Sequence, residues 1–375
     1  MYEPYLQNNR YNILGGASLL IYIVNYCLIA VYGICIKNKK KLCIIVSVQL
    51  LFLLGLRNDM LGADAVSYNY MYNLYGTYGL VDILKSIRIF STSTFYGGKE
   101  GGFVLLMWSL SKLQLSYHSY VVIHAAFCIF SISVFIFRYS KKPWLAYEFL
   151  LALSFCDVVI CLQRAALAFS ILLFTVKFIK QRRLYPFLGL VLLASMFHSS
   201  ALVFLIVYPM YSIPVNKNLI RSIVLGSLSL IVLTPVLYNV VIKRILTFMN
   251  RKYEISDFSW NNIFLLILMV VAYILIFEKR RSYNSSDYDD VLTLLVVLSF
   301  PVQVLAFYLS TFSRVSMHYM LPFSAGIIPN IIENNKADRR SWRFIFFILL
   351  GVYYMYFLNG DPYSIVPYHS VWEKM

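Results

Sequence analysis

Twelve apolar runs, separated by short polar or basic stretches, decide most of what this chain can fold into. They fall at about 13–36, 42–56, 119–137, 143–157, 165–179, 184–198, 200–213, 220–240, 260–277, 290–310, 316–332 and 344–358, with a further run at about 103–115. A spanning helix needs about 20 residues, so 375 residues hold about a dozen spans and leave no room for a soluble domain. Hydrophobic residues make up 60% of the chain and charged ones 13%, which is the balance of a polytopic membrane protein. The expected fold is therefore all-α: one integral membrane domain over 1–375, a transmembrane bundle of about 12 spans. The N-terminus has no basic n-region and its first run is long, so that run is expected to stay as a helix. None of the six cysteines has zinc spacing; buried free thiols are the expectation.

The net charge of +16 would suggest nucleic acid in a soluble protein. Here the charge clusters between apolar runs, with no basic stripe interleaved with stacking aromatics, so no nucleic-acid partner is expected. Twenty of the 33 Lys and Arg fall in alternate loops: Lys37 to Lys41, Arg138 to Lys142, Lys177 to Arg183, Lys217 with Arg221, Lys279 to Arg281, and Lys336 to Arg343. The positive-inside bias marks these loops as cytoplasmic. The alternation holds only if the 103–115 run does not cross the bilayer.

The longest break in the apolar pattern begins at Arg57-Asn58-Asp59-Met60-Leu61-Gly62-Ala63-Asp64 and continues, rich in tyrosine, to Gly102. It is expected as one large non-cytoplasmic loop, 57–102. On the same side fall Arg57, Asp64, Tyr68, Glu100, Gln163, Arg164, His198 and Arg314, and the tail with Pro367-Tyr368-His369. Polar residues collecting on one face of a bilayer mark where its chemistry is done.

Each candidate has two readings. Arg57 is an anion contact or a snorkelling anchor. Asp64 shares a helix face with Tyr68 four residues on, or caps a helix. Glu100, between the pairs Gly97-Gly98 and Gly101-Gly102, is a catalytic carboxylate on a loop able to approach a ligand closely, or an ordinary loop acid. Gln163-Arg164 opens an apolar segment, where a helix N-terminus and a bidentate guanidinium together suit an anion. An arginine at membrane depth is costly and functional by default; Arg314 repeats the situation. His198, at a helix junction, is either a hydrogen-bonded structural residue or a general base, the role to which a histidine is best suited. No carboxylate or histidine cluster has metal spacing, so neither metal nor other cofactor is expected.

In chain order these motifs resemble the EpsG-like branch of the Wzy-type polysaccharide polymerases. The likeness rests on Arg57 with Gly62-Ala63-Asp64 and Tyr68; Glu100-Gly101-Gly102-Phe103; Arg164-Ala165 with Ala168 and Ser170; Phe197-His198-Ser199-Ser200-Ala201; Arg314 with Tyr319; and Pro367-Tyr368. It runs from about residue 50 to 370.

The resemblance implies a GT-C-like membrane glycosyltransferase of the bacterial inner membrane, its active site facing the periplasm or exterior. Its partners would be donor and acceptor oligosaccharides linked to undecaprenyl pyrophosphate, the lipid bilayer itself, and a chain-length regulator protein. Arg57, Arg164 and Arg314 would then bind pyrophosphate and His198, Glu100 and Asp64 would serve catalysis. Tyr68, Gln163 and Tyr319 would bind sugar, with the Tyr68–Tyr78 series as a stacking surface. Two other classes are open. A flippase for lipid-linked oligosaccharide needs polar residues at midplane depth and a repeat, whereas no repeat is visible. A membrane acyltransferase needs a cytoplasmic thioester site, and His198 lies on the opposite side.

Overall fold

The structure is a computed structural model that describes residues 15–86, 100–214, 216–238, 290–308, 320–334 and 339–373, with a few positions between 240 and 316. Its described elements are helices, and the one strand-like contact is an isolated antiparallel bridge between Arg57 and Ser370.

Helix α1 (Gly15–Cys35) turns into α2 (Lys39–Gly55) at Asn38, whose side chain accepts the Lys41 N–H at 3.0 Å as an N-cap. Helix α2 buries Leu42, Val46, Leu50, Leu53 and Leu54, a stripe at helical spacing. The polar segment that follows is not an open loop: it folds into α3 (Ala65–Thr77) and α4 (Leu80–Ser86). Residues 87–99, including Gly97 and Gly98, lie outside the described residues. Helix α5 (Gly101–Lys112) has 12 residues, or about 18 Å of rise, well short of a hydrocarbon layer of about 30 Å.

Helix α6 (Tyr117–Tyr139), 23 residues long, does have the length to cross. It packs along α2 and against α9, the helix Gln163–Leu172. Between them in sequence come α7 (Pro143–Ala152) and α8 (Phe155–Cys161), bent 57° apart. The bend sits at Ser154, whose φ of 64° is left-handed. All ten residues of α7 and all seven of α8 are buried. Helices buried on every side, here together with Glu148 and Asp157, belong in the middle of a bundle, and α7 packs on α1, α15 (Ser324–Asn334) and α16 (Arg339–Gly360).

The apolar runs do not map one to one onto helices. The 143–157 run becomes the bent pair. The 165–179 run divides into α9 and α10 (Thr175–Lys180). After α11 (Leu184–Ser195), the run beginning near residue 200 opens as the 3₁₀ helix Ser199–Ile206 before α12 (Val207–Met210). Helices α13 (Lys217–Leu237) and α14 (Asp290–Leu305) follow. Among the described residues two helices are long and apolar enough to span a membrane, α6 and α16, with a third if α7 and α8 form one span. The chain is a helical membrane protein.

The described residues form two cores. The larger runs through α1, α2, α6 to α9, α11, α14, α15 and α16. The smaller joins α3 and α5 to the start of α6 through Tyr68, Tyr72, Tyr75, Phe103, Met107 and Tyr120. The C-terminal tail closes over the polar segment: Asn58 N–H donates to the His369 carbonyl and Val371 N–H to the Leu56 carbonyl, each at 2.8 Å. All six cysteines are free; Cys27 and Cys35 are exposed rather than buried.

Candidate functional site

Three elements far apart in sequence meet at one carboxylate. Glu100 is the N-cap residue of α5, yet its side chain makes no capping bond. Instead Oε2 accepts from Arg164 Nη1 at 2.5 Å. Oε1 faces His198 Nδ1 at 3.2 Å and accepts the Ser199 N–H at 3.1 Å and the Ser199 hydroxyl at 3.4 Å. Arg164 also hydrogen-bonds the buried Tyr68 hydroxyl. Glu100, Arg164, His198 and Tyr68 thus form one constellation, supplied by α5, α9, the α11–3₁₀ junction and α3.

Local sequence explains the meeting. Helix α11 ends at Ser195, and the chain breaks direction at His198 before entering a 3₁₀ turn. That break frees the Ser199 N–H, as the start of any helix does, and Glu100 satisfies it. Gly102 lets α5 come close enough: its N–H donates to the Met196 carbonyl at 2.9 Å, and an added Cβ would stand 2.8 Å from Met196 Cβ and O.

Burial alone would raise the Glu100 pKa. The His198 hydrogen bond, the Arg164 guanidinium and the Ser199 N–H outweigh it and hold the carboxyl down at about 2. Glu100 is thus a carboxylate at all working pH values, 2% exposed and fixed in place, not a loop acid free to swing over a ligand. Arg164 is more open, with 21% of its side chain exposed, and among the described residues its Nε has no hydrogen-bond partner.

Gln163 has no exposed surface. The Tyr120 hydroxyl donates to its Oε1 at 2.9 Å, its Nε2 donates to the Tyr117 oxygen at 3.3 Å, and His124 Nε2 meets its carbonyl at 3.0 Å. These contacts pin the start of α9 and so aim Arg164. Tyr117, Tyr120 and His124, spaced by three and four along α6, went unsingled in the sequence; their common face was the available signal. Ser199, which the sequence offers only as the neighbour of His198, is a direct partner of Glu100.

Arg57 is 1% exposed and presents no surface to an anion. Its Nη1 donates to the carbonyls of Asn58, at 3.3 Å, and Leu61, at 3.0 Å, which folds the turn ahead of α3. Asp64 is exposed and stands at the N-cap of α3 without a side-chain capping bond, one turn before Tyr68. Tyr68, Tyr72 and Tyr75 point into the smaller core rather than outward as a stacking surface; Tyr70, 66% exposed, faces away from that core. Arg314 and Tyr319 lie outside the described residues. Among the described residues no three His, Cys, Asp or Glu side chains converge.

A family model described as the EpsG family matches residues 40–370, which takes in every element of this constellation. The chain belongs to the EpsG family. No curated protein and no solved structure matches it. Membership in the EpsG family suggests a polysaccharide-polymerase type of role, that of a glycosyltransferase acting on lipid-linked sugars at a membrane. At this site a histidine and a guanidinium, each partly exposed, meet one buried carboxylate.

Proposed function

We propose that this EpsG-family protein polymerises oligosaccharide repeat units carried on undecaprenyl pyrophosphate, building an O-antigen, capsule or exopolysaccharide. The reaction takes place at the outer face of the bacterial inner membrane, in a GT-C-like bundle of about twelve spans that presents residues 57–102 to the outside. The observation that carries the reading is the Arg164–Glu100–His198 constellation, which places a cation and a histidine on either side of one fixed carboxylate.

In the proposed step an acceptor hydroxyl attacks the anomeric carbon of the donor. The new C–O bond forms as the bond to the pyrophosphate oxygen breaks, and the pyrophosphate leaves with the electron pair. Arg164, the N–H groups opening α9, and Arg314 meet the charge that grows on the leaving group, so no metal is needed. An imidazole whose Nδ1–H donates a hydrogen bond to Glu100 carries its lone pair on Nε2. That nitrogen takes the acceptor proton, while Glu100 acts as the group that orients the base. Asp64 contributes hydrogen bonding at the rim to sugar or arginine, and a chain-length regulator acts outside this chain.

The test is reconstitution in liposomes with purified lipid-linked repeat units. A ladder of elongated glycans that fails in Arg164→Ala supports the reading. Movement of the repeat units across the bilayer without elongation identifies a flippase instead.

A further inference from the structure

A groove of about 560 Å³ runs between α2 and α6, away from the Glu100 constellation. Its α2 wall extends from Lys40 to Leu51, about 16 Å of helix, or roughly half the thickness of a hydrocarbon layer. The groove therefore covers one leaflet. Helix α2 begins beside the end of α6, so Lys40 and Arg138 stand together at the same mouth. Neither makes an ion pair among the described residues. Lys39 adds a third cation there, 5.3 Å from the centre of the Phe137 ring.

Below the mouth the walls are apolar and open: Ile44, Phe130 and Phe137 are all exposed. The floor carries hydroxyls that bond one another, Ser133 to Ser47 and Ser133 to Tyr147, so no polar group asks for a partner along the length. A cationic mouth above an apolar channel one leaflet deep selects for an amphiphile with an anionic head. We propose that this groove is a binding site for an anionic glycerophospholipid of the leaflet nearest the Lys37–Lys41 loop. One acyl chain lies along α2 and α6, and the phosphate sits between Lys40 and Arg138. A long polyprenyl chain fits less well, because the channel ends after one leaflet. The proposal needs the membrane setting alone and is independent of the polymerase reading.

The experiment is native mass spectrometry of the full chain in mild detergent, offered equal amounts of phosphatidylglycerol and phosphatidylethanolamine. Two basic contacts predict a preference for phosphatidylglycerol of roughly 25-fold, equivalent to about 2 kcal/mol at 1.4 kcal/mol per decade. The double variant Lys40→Gln with Arg138→Gln removes both charges from exposed positions and should cut the preference to at most about fivefold, what Lys39 alone supplies. Val134→Trp fills the channel without touching the charges and should reduce retention of both lipids. Equal retention of the two lipids by the wild type overturns the proposal, as does wild-type behaviour in either variant. A polyprenyl phosphate that displaces bound phosphatidylglycerol at equal concentration also overturns it, by making the groove a carrier site.

Discussion

The Gly102 N–H donates to the Met196 carbonyl at 2.9 Å, and this contact sets the distance between Glu100 and His198. Glu100 lies two positions before Gly102 and His198 two positions after Met196. A Cβ at Gly102 would come within 2.8 Å of Met196 Cβ and O, and these atoms cannot swing aside as the end of a long side chain can. Gly102→Ala is therefore expected to cost about 1–3 kcal/mol in stability. It should also lower polymer formation more than a stability loss of that size explains, because α5 must retreat from His198. Melting temperature and glycan length, measured on one preparation, separate the two effects. Full activity at reduced stability would show that the contact does not position the site.

Two arginines that look equivalent in sequence should respond differently to mutation. Arg57 holds backbone carbonyls and Arg164 holds a carboxylate at an opening. Arg57→Ala leaves buried carbonyls unpaired and should lower stability by on the order of 2–3 kcal/mol. Arg164→Lys keeps the charge but loses the planar fork. It should keep most of the stability while turnover falls roughly 10²-fold, the scale of losing one aimed donor to a growing charge. Thermal unfolding in detergent and turnover on lipid-linked substrate, run on both variants, check the contrast. Loss of turnover without loss of stability in Arg57→Ala would return that residue to ligand binding.

Glu100 also makes an acid-stability prediction. Its folded pKa of about 2 lies below the ordinary glutamate value of 4.5, so its contribution is present in full above about pH 5 and disappears as pH falls toward 2. The size is on the order of 3 kcal/mol. Glu100→Gln should be less stable than wild type near neutrality, and the gap should close on acidification. A gap that stays constant from pH 7 to pH 3 would show that the ion pair does not set the Glu100 pKa. The proposed mechanism also calls for no metal, so turnover is expected to survive EDTA.

How much of this could be read in the sequence depended on the range of the interaction. Arg164, Glu100 and His198 stood out because a charge or imidazole among apolar residues is costly, and that cost is local. Their convergence on one carboxylate was not legible, since it rests on Gly102 meeting Met196, a contact spanning 94 positions. Tyr68 and Gln163 were found for their polar groups, but Tyr68 is buried against Phe103 of α5 and Gln163 against the α6 face that carries Tyr117, Tyr120 and His124. Helix α6 itself was plain from hydropathy. The 57° bend between α7 and α8 was not, because Ser154 adopts a left-handed φ in the middle of an unbroken apolar run.

The last prediction concerns the base. Glu100 is ionised throughout the range in which an enzyme of this kind works, so it cannot be the group whose deprotonation switches activity on. Where turnover rises along a limb as pH increases, the base that the geometry offers is His198, held at Nδ1 by Glu100. His198→Gln keeps a side chain able to reach Glu100 but removes the proton acceptor. It should lower turnover about 10²–10⁴-fold, the usual worth of a positioned base, and flatten the limb. Glu100→Gln should leave a limb in place and lower turnover, because the imidazole loses the group that orients it. The three pH profiles, measured on one lipid-linked substrate, decide the matter. A limb that survives His198→Gln moves the proton to another acceptor. A limb that vanishes in Glu100→Gln and survives in His198→Gln makes the carboxylate itself the base.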